Sequence, residues 1–239
     1  MEKLLQFILI FSSIFTFSQI EIKIAPSDKR FPSTQYIKIE ILNKSNHNYI
    51  VPLDTLDLRP FDDNYDWKDF DKKGVVEGSL RLQIYMKDER YKQYLFADNL
   101  PIHVNELLTK EFVDKLNSEY EEKLKEQEEW KKMNNIEDGI DIEKNRYLTE
   151  NMIFLRPNEK ITFCKKVNDG YVLSFSKSQK IGYFFGLINN KNYKLHLELV
   201  APKNIKKYLS KKQKKEFSKY KIFTGIVKSN IISFKFKND

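Results

Sequence analysis

The chain has 239 residues, a formal net charge of +8 and a single cysteine, Cys164. One cysteine excludes an internal disulfide, so the core must be stable unaided. Six of the 42 basic residues are arginine and the rest lysine, a bias against specific bidentate reading of phosphate.

The run Leu4 to Phe17 carries no charge and is almost wholly apolar or small. It has the length of a signal-peptide core and falls short of the ~20 residues that span a bilayer. Thr16 and Ser18 put small residues three and one positions before a cut. Residues 1–18 are therefore expected to be a signal peptide, with the exported chain starting at Gln19. The expected location is periplasmic or extracellular. No cysteine lies near the cut to carry a lipid anchor, and no later apolar stretch is long enough for a transmembrane helix.

From Gln19 the pattern alternates with period two, as expected of half-buried strands. "QIEIKI" places Ile20, Ile22 and Ile24 on one face, and "YIKIEIL" repeats this with Ile37, Ile39 and Ile41. "NKSNHN" reads as a turn and "YIVPL" as the return strand, with Pro52 at a strand end or edge.

The acidic segment that follows holds Asp62, Asn64 and Asp66 at the spacing that opens a calcium loop. Trp67 then stands where the turn glycine belongs and Lys73 where the bidentate glutamate belongs, so no metal site is expected. Tyr65, Asp66, Trp67 and Phe70 combine aromatic faces with a carboxylate, the residue types of sugar-binding loops. The competing expectation is that these aromatics, with Phe61, fold inward and seal a sheet edge.

"SLRLQIYMK" alternates again. Asn105 to Asn135 then reads as one long helix, with apolar residues every fourth position from Leu108 to Leu124 and five Glu-to-Lys pairs at i, i+4. Its first half is expected to pack on the sheets and its second half, where the stripe lapses apart from Trp130, to project.

Alternation resumes in "NMIFL", "KITFCKKV" and "YVLSFS", with turns at "RPNE" and "NDG". In "KITFCKKV", Cys164 faces away from Ile161 and Phe163 and is expected to be an inert, partly buried strand cysteine. "KIGYFFGLI" and "YKLHLELV" flank "NNKN", expected to be a hairpin loop, with His196 on the exposed side.

Charge concentrates at the C-terminal end. "NIKKYLSKKQKKEFSKYK", Asn204 to Lys221, holds eight lysines and one acid. Ser210 and Gln213 fit a capping box, and Leu209, Phe217 and Tyr220 could anchor a short helix from Ser210 to about Tyr220. Lys211 and Lys212 fall in its first turn, against the helix dipole. Lys211, Lys212, Lys214 and Lys215 are the candidate contacts to an anionic surface.

His47, His103 and His196 share no metal-ligand spacing, and no nucleophile motif, phosphate-cradling glycine loop or Cys/His pair is present. No catalytic residue and no cofactor is expected.

"IKIEILNKSNHNYIVPL", Ile37 to Leu53, is similar to a strand–turn–strand unit of immunoglobulin-like domains. "FLRPNEKITF", Phe154 to Phe163, resembles their "L-x-P-G-E" turn, with Asn158 in the glycine position. "IFTGIVKSN", Ile222 to Asn230, is similar to the closing hairpin of some exported bacterial proteins. The resemblance implies a mainly β fold: an antiparallel immunoglobulin-like β-sandwich over residues 19–239, with one inserted helix at about 105–135 and a short C-terminal connector helix. It supplies no catalytic residues.

These features point to an exported, non-enzymatic binding or interaction protein of unknown ligand. The expected partner is the anionic envelope surface or another envelope protein, not nucleic acid. The competing class is an envelope enzyme or enzyme inhibitor, one acting on glycans or proteases.

Overall fold

The structure is a computed structural model that describes residues 19–27, 36–61, 78–88, 94–95, 98–102, 109–167, 170–174 and 180–236. The expected signal segment, residues 1–18, lies outside these, as do Asn105 and Leu108 of the expected helix and most of the "NDG" turn. The fold is mainly β with helices added.

Strands β1 (Ile20–Pro26), β2 (Tyr36–Asn43) and β9 (Lys160–Lys166) form an antiparallel sheet in the order β1-β2-β9. Its register aligns Ile22 with Ile41 and Ile161, and Ile24 with Ile39 and Phe163. Period two puts these side chains on one face, where the isoleucines of β1 and β2 are buried. The other face carries Glu21, Lys23, Lys38 and Glu40.

A second sheet supplies the opposing apolar side chains. β4 (Asp54–Pro60), β5 (Arg81–Asp88), β12 (Asn192–Ala201) and β14 (Gly225–Lys228) lie in the order β14-β12-β5-β4. β6 (Tyr94–Leu95) pairs with β5, and β15 (Ile232–Lys235) with β12. Leu82, Ile84 and Met86 of β5 and Leu195, Leu197 and Leu199 of β12 share one buried cluster with the isoleucines of β1 and β2.

A third sheet, in the order β13-β3-β8, is formed by β3 (Tyr49–Pro52), β8 (Met152–Leu155) and β13 (Lys221–Ile222). β3 is buried on both faces, which explains its unbroken apolar run: Tyr49 and Val51 enter the main core, and Ile50 enters a second cluster with Leu148, Tyr208, Leu209 and Phe217. Pro52 ends β3, as expected. β7 (Asp98–Ile102), β10 (Gly170–Ser174) and β11 (Lys180–Phe184) form a further small sheet in the order β10-β11-β7.

Several expectations are corrected. Pairing is not uniformly antiparallel: β4 runs parallel to β5, and β13 parallel to β3. "NNKN" turns, with Asn190 at φ 63°, but joins no hairpin, because β11 and β12 belong to different sheets. The turn is instead stitched to the chain's end: Asn190 N–H donates to the Phe236 carbonyl and Phe236 N–H to the Lys191 carbonyl. β14 and β15 also form no hairpin, since both pair in succession with β12. Ser229 makes that continuation possible. Its N–H donates to the Leu197 carbonyl, while its Oγ accepts from Leu197 N–H.

Two turns match their sequence reading. Asn43 fixes the "NKSNHN" turn by donating to the His47, Leu155 and Arg156 carbonyls and accepting from Ser45. Asn158 sits at φ 61°, the left-handed conformation that makes glycine usual there and asparagine tolerable.

The long helix, α1, runs over Lys110–Asn134. Asn135, at φ 49°, closes it: Ile136 N–H reaches the Lys131 carbonyl and Asn135 N–H the Lys132 carbonyl, a Schellman arrangement. The end that docks is the opposite of the one expected. Val113, Tyr120 and Leu124 are exposed, whereas Gln127, Trp130 and Asn134 pack inward. Gln127 and Trp130 meet Glu143 and Asn145 of α2 (Ile142–Glu150), a helix the periodicity did not announce, capped by Asp141 accepting from Lys144 N–H.

Candidate functional site

The lysine-rich stretch folds as a 3-10 turn, Ile205–Tyr208, then α3 (Lys211–Glu216), then a second 3-10 turn, Phe217–Lys219. Both bonds of the expected capping box form: Ser210 Oγ accepts from Gln213 N–H, and Gln213 Oε1 from Ser210 N–H. Leu209 and Phe217 are buried in the cluster beneath β3.

Two features offset the dipole penalty of lysines in the first turn. The Glu137 carboxylate accepts from Lys211 N–H at 3.1 Å, placing a negative charge at the N-terminus of α3. Lys212 Nζ donates to the Met133 carbonyl at 2.8 Å, satisfying an orphan carbonyl in the last turn of α1. Lys212 therefore fastens one helix to another. Lys206, Lys207, Lys211, Lys214, Lys215 and Lys219 are exposed on the same segment.

Asn145 locks this segment to α1 and α2. It is fully buried, donates to the Tyr208 carbonyl and to Gln213 Oε1, and accepts from Trp130 Nε1. Thr149 Oγ1 also accepts from Gln213 Nε2. The lysines thus project from a polar, fully hydrogen-bonded base.

A second constellation lies on the β5–β12–β14 sheet. His196 is not exposed as expected but 8% accessible, stacked on Tyr85 at 4.8 Å between ring centres. Phe61, half-buried, stacks on Tyr85 as well, at 4.4 Å between ring centres. Register explains the grouping, since His196 opposes Tyr85 and Glu198 opposes both Gln83 and Lys228. Glu198 Oε1 lies 3.2 Å from His196 Nε2 and 2.6 Å from Lys228 Nζ, and Tyr85 Oη donates to Gln83 Oε1.

Burial opposes ionisation of Glu198, but the hydrogen bonds from His196 and Lys228 outweigh it and hold its carboxyl below the ordinary value of 4.5. A depressed folded pKa stabilises the fold above the unfolded pKa, and that contribution is lost as pH falls through the folded value. Melting temperatures of wild type and Glu198→Gln across pH 7 to 3 should therefore converge as the pH falls below about 4.5. A gap that stays constant would show that the carboxylate charge is not what stabilises this cluster.

A third constellation joins the sheets to the helices. Asp54 Oδ2 accepts from Arg81 Nε and from the Tyr147 hydroxyl, each at 2.9 Å. Tyr147 in turn accepts from Gly78 N–H. Burial and the Asp54 charge push the Tyr147 hydroxyl well above its ordinary pKa.

Of the residues singled out from sequence, Tyr65, Asp66, Trp67 and Phe70 lie outside the described residues. So do Asp62 and Asn64 of the calcium-like spacing, and His103. Cys164 is exposed rather than partly buried, because it points from the outer face of β9 beside Lys38. Among the described residues no group of three or more His, Cys, Asp or Glu side chains could hold a metal ion. Among the same residues no helix is long and apolar enough to cross a membrane.

Asp54, Arg81, Tyr147 and Asn145 were not found from sequence. No local pattern marks them: Arg81 falls on the polar phase of its strand, and the helix that holds Asn145 and Tyr147 was not announced by periodicity. No protein family, characterised protein or solved structure matches this chain.

Proposed function

We propose that the chain is an exported, non-enzymatic binding protein, built on an immunoglobulin-like sandwich, whose C-terminal lysine face contacts the anionic surface of the envelope. The observation that carries this reading is the mounting of the lysines. α3 and its flanking turns are anchored by a capping box, a buried amide network and two buried aromatics, yet they present a row of exposed ammoniums. A loose charged tail would need no such base. The sandwich is supported by the single core shared between the β1-β2-β9 sheet and the sheet centred on β5 and β12. Lysine rather than arginine suits diffuse attraction to an anionic surface, worth about 1 kcal/mol per residue near it. Export sets aside nucleic acid as a partner.

The test is co-sedimentation with vesicles containing about 30% anionic lipid at low salt, where screening is weak. Lys207→Gln, Lys211→Gln, Lys214→Gln and Lys215→Gln together should weaken binding by about ten-fold or more. Lys212→Gln alone should leave binding nearly unchanged while lowering the melting temperature, because that ammonium is committed to α1. Vesicle binding that is insensitive to the quadruple change would refute the proposal.

A further inference from the structure

The seam between the two principal sheets leaves a cleft. It opens where the outer faces of β1 and β2 meet the corner after β14, and is lined by Glu21, Lys23, Lys38, Glu40, Lys228 and Asn230, among others. Its volume is about 520 Å³, within the range of small-molecule sites.

The walls are fixed. Ile22 bridges to Ser229, and the Asn230 side chain behaves as a strand would: Oδ1 accepts from Ile24 N–H and Nδ2 donates to the Ile24 carbonyl. Two sheet edges are thereby joined behind the cleft, and Lys228 is steadied from the β12 side by Glu198. The backbone of this wall therefore needs no ordering on binding.

The charges define what fits. Glu40 faces Lys38 at 3.1 Å and Lys160 at 3.4 Å, and Glu21 faces Lys44 at 2.7 Å. Both carboxyls are held below their ordinary pKa by these lysines and stay ionised. Lys23 and Lys38 each face one carboxylate, and an ammonium has three donors. Both therefore retain N–H groups for an acceptor in the cleft.

Glu40 presents the complementary acceptor, with a side chain 25% accessible in the lining, whereas Glu21 Oε2 is closed off in the wall beside the Lys23 ammonium at 3.3 Å. With their ion-pair partners included, the lysines Lys23, Lys38, Lys44, Lys160 and Lys228 outnumber the carboxylates Glu21, Glu40 and Glu198. That balance attracts an anion, and the carboxylates favour one that also carries a donor apart from its anionic group, which inorganic phosphate lacks.

We infer that this cleft binds a small organic carboxylate, its anionic group among Lys23, Lys38 and Lys228 and a neighbouring O–H or N–H donor on Glu40. The neighbouring donor is a hydroxyl in a sugar acid and an ammonium in an amino acid, and the two are separated by experiment. The site lies apart from the α3 lysines, so it stands or falls independently of envelope contact.

Calorimetric titration of the intact protein at low salt would use galacturonate, glutamate, galactose and inorganic phosphate as probes. Saturable binding is expected for galacturonate or glutamate, and the one that binds identifies the donor. Neither galactose nor phosphate should match it. Lys23→Gln with Lys38→Gln should weaken binding about ten-fold or more, since two charge-assisted hydrogen bonds are lost. Both side chains face solvent, so the fold should persist, and Lys38→Arg, which keeps the charge, should retain binding. Lys211→Gln with Lys214→Gln should change nothing. Failure of both carboxylates to bind, equal binding of phosphate or galactose, or indifference to the Lys23 and Lys38 changes would overturn the inference.

Discussion

Asp54→Ala is expected to lower the free energy of unfolding by about 3–5 kcal/mol. Asp54 and Arg81 are 5% and 8% exposed, so neither charge is solvated by water. Their separation of 2.9 Å, with the Tyr147 hydroxyl on the same carboxylate oxygen, makes a connected unit rather than a surface ion pair. The other oxygen accepts from Leu56 N–H at 2.8 Å, fixing the first turn of β4. Removing the carboxylate leaves a buried guanidinium without this partner and frees a hydroxyl that had been donating.

The double change Asp54→Leu with Arg81→Met separates the two contributions. A buried ion pair replaced whole by apolar residues is often neutral, whereas one broken in half is not. The double variant should therefore be more stable than Asp54→Ala alone, by urea denaturation monitored at 222 nm. If Asp54→Ala unfolds at the wild-type urea concentration, the network contributes nothing to stability.

How much of this was legible beforehand depends on the kind of interaction. The isoleucine faces of β1 and β2 were legible because alternation is local and a one-residue slip would expose every one of them. The α3 capping box was legible because both of its partners lie within four residues. Asn158 was legible because so few residues tolerate a positive φ. In each case the information sits within a few positions of the feature it predicts.

What failed was long-range. A hairpin was expected at Asn189 to Asn192 because turn residues separate two alternating runs, and a closing hairpin over Ile222 to Asn230 by resemblance. Turn chemistry reports that the chain reverses or kinks, not which strand it then joins. β12 is long enough to take β14 and β15 end to end, and nothing local to Ser229 says so. The same limit governed α1. Its apolar stripe predicted docking of the N-terminal half, but the docking is carried by a polar pair, Trp130 and Asn145, on different helices. His196 was read as exposed because it falls on the polar side of β12, yet that side is covered where Tyr85 and Phe61 stack. Polar contacts between elements leave no periodic trace.

Those polar contacts are also where the helical layer is most vulnerable. Asn145→Ala is expected to cost about 3–5 kcal/mol, because every hydrogen-bonding position of a fully buried amide is in use. Its two N–H groups reach the Tyr208 carbonyl and Gln213 Oε1, both at 2.6 Å. Its oxygen accepts from Trp130 Nε1 at 2.8 Å and Gln213 Nε2 at 3.3 Å. Truncation leaves partners on three separate segments without a mate in a water-poor site, and each such group costs about 1–3 kcal/mol. The loss should appear first at the joint, as a red shift of Trp130 fluorescence and faster proteolysis near Ser210, before the sheets unfold. Asn145→Asp keeps the shape but replaces both donors with acceptors, so it should fail nearly as badly at pH 7. If Asn145→Asp matched the wild type in melting temperature, shape alone would hold the joint. The hydrogen-bond account of how α1, α2 and the lysine-bearing α3 are fastened together would then be wrong.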